Sequence, residues 1–72
     1  MNIFDFPVEE INIIAMYKAD SNVKTIKAIV EMLPDMSTDI RLIAISAIRK
    51  LNTLTEPEFS EIKFIPVYDT GD

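Results

Sequence analysis

The chain of 72 residues contains one glycine, Gly71, and it is the next-to-last residue. Glycine supplies the positive φ angles of tight turns and the close backbone approach of phosphate-binding loops. A glycine-rich phosphate or dinucleotide loop is therefore excluded from the body of the domain. Glycine-poor chains with long periodic segments usually form helices that are joined by proline and polar breaks.

Apolar residues recur at three- and four-residue steps, which predicts an all-α fold. The first segment is rich in isoleucine, so periodicity alone also allows a strand there. We favour a helix, because Pro7 suits a first helical turn and Glu9 and Glu10 complement its positive end. The predicted helices span residues 8–19, 21–33, 37–53 and 56–62.

Capping residues mark the breaks between these helices. Asp20 and Ser21 are candidate N-caps of the second helix, and Pro34 ends it. Asp35 or Ser37 can cap the third helix. Before the short fourth helix, Thr55-Glu56-Pro57-Glu58 matches a capping box.

We therefore predict a small three-helix bundle with a short fourth helix and an apolar, extended C-terminal tail. Residues 1–7 form an N-terminal arm, 8–62 the helical domain and 63–72 the tail. The predicted core residues are Ile11, Ile14, Val23, Ile26, Val30, Leu33, Ile40, Ile43, Ala44, Ala47, Ile48, Leu51, Leu54 and Phe59.

The residue inventory argues against an enzyme. The chain has neither cysteine nor histidine, so it lacks the usual general base, the thiolate nucleophile and the ordinary zinc ligands. Adjacent Glu9 and Glu10 would point about 100° apart on a helix, which is poor geometry for a cooperating pair. Glu56, Glu58 and Glu61 are interpreted as capping and solvated residues. We expect no catalytic residue, no metal site and no cofactor.

The N-terminal residues 1–6 have no basic residue ahead of their apolar ones, so they do not resemble a signal peptide. The longest apolar run, residues 13–17, is far too short to span a membrane. We expect a soluble, cytoplasmic protein with no membrane partner.

The third helix has more apolar residues than one core-facing stripe requires. Leu42 and Ile45 lie beside that stripe, and the tail adds further apolar residues. Either the fourth segment or the N-terminal arm covers them, or another protein or a second copy of the chain does. We predict a partner-binding role, with a possible homodimer, for Leu42, Ile45, Phe64, Ile65 and Tyr68.

Binding to DNA, as a regulatory or recombination accessory protein, is the alternative. The net charge of −5 argues against it, because a basic surface supplies most of the affinity for nucleic acid. The middle of the chain is nevertheless mildly basic. The residues that would contact DNA are Lys24, Lys27, Arg41, Arg49 and Lys50.

Four stretches, 10–20, 32–36, 47–51 and 54–59, together resemble the small transposon-encoded protein family TnpW. The most specific matches are Tyr-x-x-Asp at the end of the first helix, Leu-Pro-x-Met at the break, Arg-Lys-Leu and Leu-Thr-x-x-Glu-Phe. The resemblance implies a gene carried by conjugative transposons or related mobile elements of Gram-positive bacteria. It implies no catalytic or binding residue.

Overall fold

The computed structural model describes residues 6–62 and 64, and four α-helices lie within them. Helix α1 is Val8–Tyr17, α2 is Asn22–Met32, α3 is Thr38–Leu51 and α4 is Glu56–Glu61. A short 3₁₀ helix, Leu33–Asp35, follows α2 directly. The all-α prediction is confirmed. The helix ends lie within two residues of the predicted ends, and the predicted extended tail lies mostly outside the described residues.

Three side-chain caps begin the helices where the sequence predicts breaks. The Ser21 hydroxyl accepts a hydrogen bond from the backbone N–H of Lys24 at 3.1 Å, and Ser37 accepts one from Ile40 at 3.4 Å. At α4 the capping box is complete: Thr55 accepts from the backbone N–H of Glu58, and the Glu58 carboxylate accepts from that of Thr55. Each cap satisfies a backbone donor that has no partner within its helix.

A long-range hydrogen-bond network holds the ends of three helices together. The Asn22 side-chain amide donates to the carbonyl oxygens of Leu51, at 2.7 Å, and Leu54, at 3.2 Å. The Glu56 carboxylate accepts from the backbone N–H groups of Asn22, at 2.8 Å, and Val23, at 3.2 Å. Asn22, at the start of α2, therefore caps the end of α3. Glu56, at the start of α4, caps the start of α2.

The buried face of α2 is not the face that the sequence predicts. Its buried residues are Asn22, Thr25 and Ile29, whereas Val23 is 68% exposed and Val30 is 45% exposed. The prediction of these two valines as core residues is wrong. Asn22 and Thr25 can occupy the inner face because the Asn22 side-chain N–H groups and the Thr25 hydroxyl are hydrogen-bonded there, which offsets much of the cost of their burial.

The α1–α2 turn is fixed by the buried Thr25. Its hydroxyl donates to the Ser21 carbonyl oxygen at 2.8 Å and accepts from the backbone N–H of Ala19 at 2.9 Å. The first contact adds to the backbone hydrogen bond that the Ser21 carbonyl oxygen already accepts from Thr25, and the second satisfies the N–H of Ala19, which follows the end of α1. Thr25 therefore acts as a structural polar residue inside the core.

The core lies between α1, α2 and α3, and α4 covers one end. The predicted α3 stripe is largely confirmed, because Ala44, Ala47 and Leu51 are buried. Ile40 is an exception, at 43% exposure, because it lies in the first turn of α3, beyond the main packing region. Among the described residues, the buried apolar residues that form the core are Phe6, Ile13, Ile14, Ile29, Ala44, Ala47, Leu51, Phe59 and Phe64.

Two phenylalanines from outside the predicted helical domain, Phe6 and Phe64, join Phe59 in this core. The Phe6 and Phe64 ring centroids are 5.3 Å apart in an edge-to-face arrangement, and Phe64 and Phe59 are 5.6 Å apart. Phe6 was assigned to the arm and Phe64 to the tail, yet both are buried. Edge-to-face and tilted aromatic pairs add specific packing energy to that of area burial.

Glu56→Ala should lower the free energy of unfolding by about 1 kcal/mol, because it removes a carboxylate that caps two N–H groups at the start of α2. The measurement is urea unfolding followed by circular dichroism. Glu61→Ala is the matched control, since Glu61 is exposed on the same helix and makes no hydrogen bond or ion pair with a described residue. Equal stabilities of the two variants would contradict the capping role.

Candidate interaction surface

Leu42 lies on the side of α3 that faces away from the core. It is nine residues from the buried Leu51, which at about 100° per residue places the two side chains about 180° apart on the helix. The structure leaves 63% of Leu42 exposed. The predicted partner-binding residue is thus a large apolar side chain on an otherwise solvated helix face.

Ile45 lies one turn further along α3, beside Leu42. It is half-buried, yet it is not among the partly buried apolar residues that pack against the core, which include Ile43 and Ile48. Ile45 therefore extends the apolar surface of Leu42 and does not join the core. We call this surface of Leu42 and Ile45 the outer face of α3.

Opposite charges flank the outer face. Asp39 lies in the first turn of α3 and Arg49 in the last, and both residues are exposed. Neither makes a hydrogen bond or an ion pair with a described residue. At about 100° per residue, Arg49 lies about 20° from Leu42 on one side around the helix and Asp39 about 60° from it on the other side, so the two charged residues are about 80° apart. Each end of the outer face therefore carries one charge that is unpaired within residues 6–62 and 64.

The structure separates the five residues predicted to contact a partner. Leu42 and Ile45 lie together on α3, whereas Phe64 is 5% exposed and packs against Phe6 and Phe59. Phe64 therefore belongs to the core in this structure. Ile65 and Tyr68 lie outside the described residues.

Two of the five cations in the DNA-binding alternative have internal partners. Arg41 donates from Nε to the Leu33 carbonyl oxygen at 3.0 Å and from a terminal nitrogen to that of Met36 at 2.9 Å. It thereby satisfies carbonyl groups where α2 and the 3₁₀ helix end. The remaining exposed cations are Lys24, Lys27 and Arg49.

The second internally paired cation is Lys50. Its ammonium lies 3.0 Å from the carboxylate of Glu10 and 5.7 Å from the centroid of the Phe6 ring. The Glu10 side chain is 8% exposed, and Lys50 is its one ion-pair partner among the described residues. The first turn of α1 is thereby attached to the last turn of α3.

Sequence reasoning missed these contacts because they join residues that are distant in the chain. Forty positions separate Glu10 from Lys50, and Glu10 was interpreted only as a favourable residue at a helix start. Met16 is a further case, since it is an apolar residue of the isoleucine-rich α1 and is 71% exposed. No periodicity distinguishes these cases, because each depends on where a neighbouring helix lies.

The chemistry available at the described residues is limited. Within residues 6–62 and 64, no group of three or more acidic side chains is arranged to hold a metal ion. None of the helices in that part of the chain is long and apolar enough to cross a membrane. Among the described residues, Leu42 on the outer face of α3 is one of the three most exposed large apolar side chains, with Met16 on α1 and Val23 on α2.

Comparison with known proteins adds a family. A family model described as "Putative transposon-transfer assisting protein" matches residues 6–66, which include all four helices. Neither a curated protein nor a solved structure matches the chain. The match confirms the small transposon-associated family that the sequence motifs indicate.

Lys50→Met should lower the free energy of unfolding by about 1–3 kcal/mol, because it leaves the buried Glu10 carboxylate unpaired. The loss of stability should be smaller than the loss for a fully buried ion pair. The Lys50 side chain is 40% exposed, so water partly screens its attraction to Glu10.

The readout is the urea midpoint, with Lys27→Met on exposed α2 surface as the matched control. The double variant Glu10→Leu/Lys50→Met should lose less than the single variant, because it leaves no unpaired buried charge. Identical midpoints for Lys50→Met and Lys27→Met would show that the ion pair does not stabilise the fold.

Proposed function

This chain belongs to the transposon-transfer assisting protein family, and from that premise we propose that it is a non-enzymatic accessory protein of a conjugative transposon or related mobile element. It acts by binding another protein or a second copy of itself, and it does so in the cytoplasm. The family's description as an assisting protein supports an accessory role. The rest of the proposal depends on the outer face of α3.

The exposure of Leu42 carries this proposal. Fully burying a leucine side chain is worth about 1.5–3 kcal/mol, and 63% of Leu42 is still exposed in the folded monomer. A partner that covers Leu42 and Ile45 therefore gains much of that free energy. Met16 and Val23 are also exposed, but they lie on other helices.

The charges on the outer face favour a protein partner over nucleic acid. Arg49 is the only basic residue near Leu42 that lacks an internal partner among the described residues, and the acidic Asp39 lies at the other end. A phosphate backbone requires several converging cations for appreciable affinity. Arg41 and Lys50 make contacts within the fold, so they are poorly placed to contribute to such a cluster of cations.

The non-enzymatic part of the proposal is supported by the residue inventory. The sequence has no histidine and no cysteine. Glu10 is the most buried carboxylate among the described residues, and Lys50 pairs with it. A carboxylate held in an ion pair between two helices is a structural element, since it has no access to a substrate proton.

Leu42→Glu should lower the transfer frequency of the mobile element to that of a strain lacking the gene, because it places a charge in the centre of the proposed contact. The assay complements a gene deletion with each variant and counts transfer events per donor. Met16→Glu is the matched control, since Met16 is even more exposed but lies on α1.

Circular dichroism and the unfolding midpoint of each purified variant test whether the helical fold is retained. A folded Leu42→Glu variant that supports wild-type transfer would refute a role for the outer face of α3. Equal loss of transfer in both variants would show that the effect is not specific to this surface.

A further inference from the structure

The outer face of α3 has a charge distribution that is complementary to itself. Asp39 stands at one end, Leu42 and Ile45 lie in the middle, and Arg49 stands at the other end. Both charged residues are exposed and unpaired among the described residues. We propose that the occupant of this face is a second copy of the chain, with its α3 packed antiparallel; this inference rests on the proposed function.

Helix geometry places the complementary groups opposite each other. Asp39 and Arg49 are ten residues apart, or about 15 Å along the helix at 1.5 Å per residue, with their midpoint at residue 44. A twofold axis at this midpoint sets Asp39 of each copy at the same height along the helix axis as Arg49 of the other. Two identical ion pairs then close the two ends of the contact.

The same axis brings the apolar residues together. Leu42 is two residues from the midpoint, so the two Leu42 side chains lie about 6 Å apart along the helix direction. Packed helices have axes about 8–10 Å apart, a gap that leucine and isoleucine side chains can fill. Leu42 and Ile45 of each copy thereby cover those of the other.

The charge pattern also selects the orientation. In a parallel, in-register pair, Asp39 would face Asp39 and Arg49 would face Arg49, and both contacts are repulsive. The antiparallel pair converts both into attractive contacts. A twofold dimer uses the same patch on both copies, so a single self-complementary helix face is sufficient.

Burial of Leu42 and Ile45 supplies the affinity, and the ion pairs set the orientation. The contact is small, which places it among weak, concentration-dependent interfaces with a dissociation constant on the order of 100 μM. Because the ion pairs lie at the exposed ends, added salt should weaken the dimer.

The test is sedimentation equilibrium of the full chain and its charge variants over a range of concentrations. Asp39→Arg and Arg49→Asp should each weaken self-association by about tenfold or more, since each replaces two attractive contacts with two repulsive ones. An equimolar mixture of the two variants should dimerise as well as the wild type. The double variant Asp39→Arg/Arg49→Asp should also recover dimerisation with itself.

The single variants distinguish the two orientations. In a parallel, in-register dimer like charges already face each other in the wild type, so reversing one charge leaves two like-charge contacts and should not weaken association. Single variants that self-associate as strongly as the wild type would therefore refute the antiparallel arrangement. A wild-type chain that stays monomeric up to about 1 mM would overturn the proposal altogether.

Charge reversal opposes the helix dipole, so circular dichroism must first show that each variant is folded. If a reversal unfolds the chain, Leu42→Glu provides the second test, with Met16→Glu as its control. A monomeric Leu42→Glu variant beside a dimeric control supports the proposal, and a dimeric Leu42→Glu variant overturns it.

The transfer assay separates this inference from the proposed function. If Leu42→Glu abolishes transfer while the wild type is monomeric, the outer face binds a different protein and only the second-copy inference fails. If the wild type dimerises through this face but Leu42→Glu transfers normally, the dimer stands and the proposed function fails.

Discussion

The hydrogen bonds of Asn22 are the constraint on which the rest of this small fold depends. Its side chain caps the end of α3, and its backbone N–H is capped in turn by Glu56 of α4. Helix ends carry backbone groups that need partners, and a domain of this size has little core to offset any that stay unpaired. One residue thus sets where three helices meet. The Asn22 side-chain oxygen Oδ1 is buried and has no hydrogen-bond partner among the described residues, so the arrangement has an energetic cost.

The hydrogen bonds of Asn22 decide which face of α2 is buried, and therefore which of its apolar residues are exposed. With Asn22, Thr25 and Ile29 turned inward, Val23 and Val30 face outward. A sequence pattern that assigns apolar residues to the core rotates α2 the wrong way, because it cannot count the hydrogen bonds that make a buried asparagine acceptable. The surplus of apolar side chains in this chain is thus partly a consequence of polar residues in its core.

The candidate site shows a similar division between local and long-range information. Leu42 could be identified from sequence, since it lies opposite a complete stripe of core residues on a single long helix. Phe64 could not be placed, because its burial depends on the rings of Phe6 and Phe59, which come from both ends of the chain. The basic residues show the same division. From sequence, Arg41 and Lys50 resemble surface charges, yet Arg41 donates to two helix-end carbonyl oxygens and Lys50 pairs with the buried Glu10 carboxylate.

The sequence by itself determined the all-α class, the four helices, their caps at Ser21, Ser37 and Thr55, and the membership of a transposon-associated family. These features depend on residues within one or two helical turns of each other, so periodicity and capping chemistry are sufficient to predict them. Only the tertiary structure decided the buried face of α2, the ion pair between Glu10 and Lys50, and the burial of Phe64 against Phe6 and Phe59. Each of these joins parts of the chain that are far apart in sequence, and their free energy arises only when the helices pack.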